Sequence, residues 1–126
     1  MEKKPIQTPQ APSAIGPYSQ AIRIGEFLFT SGQIALDPKT MVMMNGEIEE
    51  ETERVLNNLQ EILKADSLSL AHVVKTTVYL TDLGEFSRMN QVYEKFFNKT
   101  KPARACVQVV ALPKGAKVEI DAIAHQ

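Results

Sequence analysis

PARACVQVVALPKGAKVEIDAIA, residues 102–124, decides how the rest of the chain is read. Its first part alternates as a pleated strand, with Ala103, Ala105, Val107 and Val109 on one face and Arg104, Cys106 and Gln108 on the other. Its last part sets Val118, Ile120, Ala122 and Ala124 against Lys117, Glu119 and Asp121. The turn signal Pro113-Lys114-Gly115 lies between them, so strands over 103–112 and 117–124 are expected to be hairpin neighbours. The first of these reads as a buried strand, and that makes Arg104 an anomaly. A guanidinium facing into a sheet is costly unless it meets an anion, because it does not shed its charge.

Moving upstream, EFSRMNQVYEKFFN (85–98) has the helical stripe Phe86, Met89, Tyr93, Phe96 and Phe97, with Thr81 or Asp82 as its cap. HVVKTTVYLTD (72–82) alternates as a strand, setting Val74, Thr76, Val78 and Leu80 against Lys75, Thr77 and Tyr79. EIEEETERVLNNLQEILKAD (47–66) is the clearest helix: Val55, Leu56, Leu59, Ile62 and Leu63 share a face, and acids crowd its first turns. Before it, YSQAIRI (18–24) and EFLFTSGQIAL (26–36) read as strands joined at Gly25-Glu26. Gly32 marks a bulge or a close approach to the backbone. Pro5, Pro9, Pro12 and Pro17 make residues 1–17 an extended lead-in.

The predicted order is therefore ββαβαββ in a single domain over 1–126: an α+β sandwich with two helices on one face of a mixed sheet. Two helices leave the other face uncovered, and self-association is the expected remedy.

Fourteen basic and fifteen acidic side chains leave a net charge of −1, and the few aromatics are not interleaved with basic residues. Nucleic acid and anionic membrane are thus disfavoured as partners. A single cysteine excludes an internal disulfide, and no Cys/His spacing matches a metal site. The N-terminus lacks the apolar segment of a secretory signal, so a cytoplasmic setting is expected.

Two readings of Arg104 stand. It pairs with Glu119 on the neighbouring strand as a buried ion pair, or it forms a planar fork for a ligand carboxylate while Glu119 orients a water. Cys106 as a nucleophile would need a base, and His72 and His125 are both distant in sequence. As a small buried hydrophobe, or a group touching ligand, it needs none. Glu49, Glu50 and Glu51 read as a solvated helix start. Asn90, Tyr18, Ser31 and Gly32 are individually ambiguous.

Together, AIGPYSQAI (14–22), LFTSGQIAL (28–36), VVKTTVYLTD (73–82), FSRMNQVYEKFF (86–97) and PARACVQVVALPKGAKVEIDAIA resemble the RidA/YjgF family, specifically its enamine/imine deaminase branch. The likeness runs from about Ile15 to Ala124. It implies a chorismate-mutase-like fold assembled as a homotrimer with sites between subunits, and no metal or organic cofactor. The implied activity is hydrolysis of 2-iminobutanoate and 2-iminopropanoate, released as enamines by pyridoxal-phosphate dehydratases, to 2-oxo acids and ammonia. By resemblance, Arg104 binds the substrate carboxylate, Glu119 lies near the attacking water, and the main chain of Cys106 helps place the imine. Tyr18, Ser31, Gly32 and Asn90 line the cleft. Departures from the family pattern are Asp66 in place of glycine, Glu51 where glutamine is frequent, a larger Val110, and the methionine-rich TMVMMNG (40–46). The competing expectations are a non-catalytic trimer that binds small 2-oxo acids, and an RNA-directed protein.

Overall fold

Alternation and helical period sort the chain into six strands and two helices in the computed structural model, which describes residues 1–126. The strands are β1 (Lys3–Ile6), β2 (Ala21–Ile24), β3 (Phe27–Thr30), β4 (Val73–Leu80), β5 (Ala103–Gln108) and β6 (Val118–His125); the helices are α1 (Ile48–Ala65) and α2 (Phe86–Phe97). One mixed sheet runs β1-β2-β3-β6-β4-β5. Only β4 and β5 pair in parallel, with α2 as the crossover between them.

Both helices pack on the same face. Ile48, Val55, Leu56, Leu59, Ile62 and Leu63 of α1 are fully buried, and Met89, Tyr93 and Phe97 of α2 join them. From the sheet they meet Val78, Leu80, Val118, Ile120, Ala122 and Ala124. Each large side chain so buried contributes about 1.5–3 kcal/mol of transfer free energy. Thr76 belongs to this face as well, its hydroxyl 2.7 Å from that of Tyr93. The opposite face is open. Lys75, Thr77, Tyr79, Glu119, Asp121 and Ile123 lie there half-buried, and Phe27, Phe29 and Val107 are each more than 40% exposed.

The turn at Gly25-Glu26 joins β2 to β3 as expected, with Ile24 opposite Phe27 and Gly25 at φ 57°. Several other expectations are corrected. The lead-in contributes β1, which pairs antiparallel with β2. Pro5 is tolerated because β1 is an edge strand and owes the ladder donors on one side only. Ahead of α1, β3 ends at Thr30, after which the chain makes only the isolated bridges Gln33–Ile120 and Leu36–Met43. An irregularity at Val74 breaks the register of β4, so Val73 is buried and Val74 exposed.

The Pro-Lys-Gly segment does not close a hairpin. β5 ends at Gln108, and residues 109–117 carry the chain past β4 so that β6 pairs on its far side. β5 is consequently an edge strand, and Ala103, Ala105 and Val107 lie exposed on the open face. Its other face, with Arg104 and Cys106, is the one beside the helices, since Arg104 pairs with Thr76 and Cys106 with Val78. Asp82 caps the short 3-10 turn before α2, accepting the Gly84 N–H at 2.8 Å. No helix is long and apolar enough to cross a membrane.

Candidate active site

Arg104 projects from the edge strand over α2. Its guanidinium carbon lies 4.7 Å from the ring centroid of Tyr93 and 5.3 Å from that of Phe86. Two aromatic faces thus support a cation without desolvating it fully. Nη1 donates to Oδ1 of Asn90 at 2.7 Å. Asn90 is thereby oriented as an acceptor, and its amide nitrogen reaches Glu94 at 3.4 Å. No carboxylate pairs with Arg104 within the chain, and Arg104 lines a cavity of about 420 Å³ together with Asn90, Tyr93, Glu94 and Lys101.

Glu119 occupies the open face of β6, in register with Tyr79 of β4. It lines a second cavity, of about 350 Å³, together with Tyr18, Ser31, Gly32, Pro113 and Lys114. Close approach is the reason for glycine at position 32: a β-carbon there would stand 2.1 Å from Oε2 of Glu119. Ser31 fixes this corner twice. Its amide donates to the Gln20 carbonyl at 2.9 Å, and its hydroxyl donates to the Ser19 carbonyl at 2.5 Å, tying the Tyr18 segment to the end of β3. Burial pushes the Glu119 carboxyl above the usual carboxylate range, and the nearby Asp121 pushes it further. Lys114 adopts φ 57°, a left-handed conformation that costs about 1 kcal/mol for a side-chain-bearing residue.

The ion-pair reading of Arg104 is overturned within the chain. Arg104 and Glu119 lie on opposite faces of the sheet with β4 between their strands, because the turn that was expected to make them neighbours does not. The structure therefore assembles two clusters, Arg104–Asn90 and Glu119–Gly32–Ser31–Tyr18. Cys106 packs against the core beside the first. Burial raises the thiol's proton affinity, and Arg104 only partly offsets this. The histidines are engaged elsewhere: Nδ1 of His72 accepts the Ser69 N–H, and His125 stacks edge-on to Phe27 and pairs with Glu26. Neither serves Cys106 as a base.

Sequence reasoning missed several participants. Phe86 and Tyr93 fit the apolar stripe of α2, yet they also form the platform under Arg104. Glu51 is not solvated: it is 1% exposed and accepts the Lys117 N–H at 2.9 Å, and burial raises its carboxyl. Asp121 shares the face of Glu119 two residues on, a spacing visible in KVEIDAIA but given no role there.

The chain also matches known proteins along nearly its whole length. The sequence model of the family described as Endoribonuclease L-PSP matches residues 8–126. Protein DfrA of Myxococcus xanthus is 55% identical over 126 residues, covering 98% of this chain and 96% of that protein. A mouse (Mus musculus) protein named 2-iminobutanoate/2-iminopropanoate deaminase is 48% identical over 124 residues, covering 98% and 92%. The crystal structure of E. coli TdcF with bound serine superposes with a TM-score of 0.93 at 43% identity, covering 98% of each chain. The chain belongs to the family these proteins represent.

Proposed function

From membership of the RidA/YjgF family we propose that this protein is an imine deaminase. It hydrolyses 2-iminobutanoate and 2-iminopropanoate to the 2-oxo acids and ammonia, removing reactive products of pyridoxal-phosphate dehydratases. It works as a cytoplasmic homotrimer that buries the open sheet face. Each site joins the Arg104 cluster of one subunit to the Glu119 cluster of the next.

The observation that carries this reading is the disposition of Arg104. It is a rigid, aromatic-backed fork, oriented by Asn90, without a carboxylate partner in its own chain, and it opens onto a cavity. Such a group matches a ligand carboxylate through two parallel charge-assisted hydrogen bonds. Its separation from Glu119 in one chain favours a site shared between copies. The serine in TdcF is a small carboxylate-bearing molecule of similar size.

The chemistry then needs little machinery. Arg104 fixes the carboxylate and so aims the adjacent C=N carbon at a water held near Glu119, which removes orientational cost. The water oxygen bonds to that carbon while Glu119 takes a water proton. Glu119 returns that proton to nitrogen, giving a carbinolamine; it then relays the carbinolamine's hydroxyl proton to nitrogen, the C–N bond breaks as the C=O bond forms, and ammonia leaves a 2-oxo acid. Tyr18, Ser31 and Gly32 shape the Glu119 side, and the main chain at Cys106 helps to place the imine.

A coupled assay tests the reading: threonine dehydratase generates the imine, and semicarbazide traps whatever survives. The expected result is loss of the trapped adduct with wild type and its persistence with Arg104→Ala. An adduct that persists with wild type as it does in buffer would overturn the deaminase reading.

A further inference from the structure

Resting on that reading, we propose that Asp121 is a positioning residue for proton transfer, its carboxylate keeping a proton on Glu119 at the moment the amine must leave. Asp121 and Glu119 project two residues apart from the same face of β6, opposite Thr77 and Tyr79 of β4. Both are half-buried, so burial lifts each carboxyl and the Asp121 charge lifts Glu119 further. Hydrogen bonding separates the two. The Tyr79 hydroxyl donates to Oδ2 of Asp121 at 3.2 Å, and the Lys75 ammonium stabilises the same carboxylate. Glu119 has no such donor, and its only charged influence of this kind is Asp121 itself. Asp121 therefore ionises the more readily of the two, and its charge raises the proton affinity of Glu119.

The other groups facing Glu119 leave this assignment in place. Tyr79 stands opposite it on β4 with its hydroxyl already given to Asp121. Ser31 and Gly32 face it from the segment after β3, and Ser31 donates its hydroxyl to Ser19. Tyr18 and Lys114 line the cavity from the lead-in and the turn before β6. Lys117, two residues before Glu119, sends its ammonium to the Gly46 carbonyl at 2.6 Å.

In the reaction, ionised Glu119 takes a proton from the attacking water, and the Asp121 charge strengthens it as a base. Protonated Glu119 gives that proton to nitrogen, then relays the carbinolamine's hydroxyl proton the same way, so that the C–N bond breaks as the C=O bond forms. Asp121 touches neither water nor substrate; it acts through Glu119.

The test pairs two readouts in the full-length protein: the carboxyl titration of Glu119, followed by 13C NMR and assigned by its loss in Glu119→Gln, and the acid limb of kcat/KM for imine hydrolysis. Asp121→Asn is expected to lower both midpoints by about half a pH unit or more. Asp121→Glu, which keeps the charge, is expected to hold both near wild type. A Glu119 midpoint that does not move in Asp121→Asn overturns the proposal. So does a midpoint that moves while the acid limb stays fixed. A moving midpoint in a protein whose wild type hydrolyses no imine overturns the proposed reaction instead, and leaves the coupling of the two carboxyls standing.

Discussion

Arg104 stands on an edge strand, exposed to water and backed by aromatic rings, whereas Glu119 lies on a central strand among half-buried polar side chains. The contrast suits the roles proposed for the two charges. A guanidinium binds through fixed charge and geometry, keeps its proton in any surroundings, and gains from being reachable. A carboxyl that must both take and give a proton gains from partial burial, because desolvation lifts its proton affinity toward the pH at which it works. One fold supplies both environments by placing the cation at the rim of the helix-covered face and the acid in the middle of the open one.

The most severe way to break this comparison is to remove the proposed proton carrier. Glu119→Gln should lower kcat on the order of 10³-fold, read in the imine-trapping assay, while the protein still folds. Next, Gly32→Ala should push the Glu119 carboxylate aside, since the new methyl would stand where Oε2 now lies. Activity should fall about 10- to 100-fold with little change in thermal midpoint; retained activity would mean that the carboxylate position is not critical. On the other side, Phe86→Leu removes one of the two rings behind Arg104 and should raise KM about two- to fivefold with kcat nearly unchanged.

The mildest change separates burial from catalysis. Glu51 has its carboxyl raised by burial, so the folded state binds its proton more tightly than the unfolded chain does. Stability therefore falls as pH climbs from the ordinary glutamate range through the raised value. Glu51→Gln preserves an oxygen acceptor for the Lys117 N–H and does not titrate. It should be more stable than wild type by about 1 kcal/mol at pH 8, with the gap closing by pH 4 in thermal melts, and hydrolysis should be unaffected.

Both helices, the β2–β3 turn and the inward alternation of β6 were legible in the sequence because each is a local pattern. Val55, Leu59 and Ile62 recur at the helical period whatever they pack against. Strand order was not legible, because it depends on which pairing wins among distant segments. Pro113-Lys114-Gly115 reverses the chain but does not say that β4 already occupies the place beside β5. The face of β5 was misread for the same reason: Ala103, Ala105 and Val107 are apolar, yet an edge strand on an open face leaves them exposed. β1 was hidden because KKPI carries a proline and two charges that only an edge tolerates. Of the site, Arg104 was conspicuous as an isolated charge in an apolar strand. Its aromatic support was not, since Phe86 and Tyr93 also satisfy a helix stripe.

The central position of β6 also bears on biosynthesis. β1–β3 form one antiparallel block and β4–β5 another, and β6, made after both, is the strand that joins them. While the chain is still being synthesised, neither block can complete its ladder, and the inward surfaces of α1 and α2 lack their full counterpart. Sheet closure waits for Val118–His125 to clear the ribosome, a late and non-local event of the kind that slows folding. Because that same strand carries Glu119, the proposed proton carrier is delivered by the step that completes the fold.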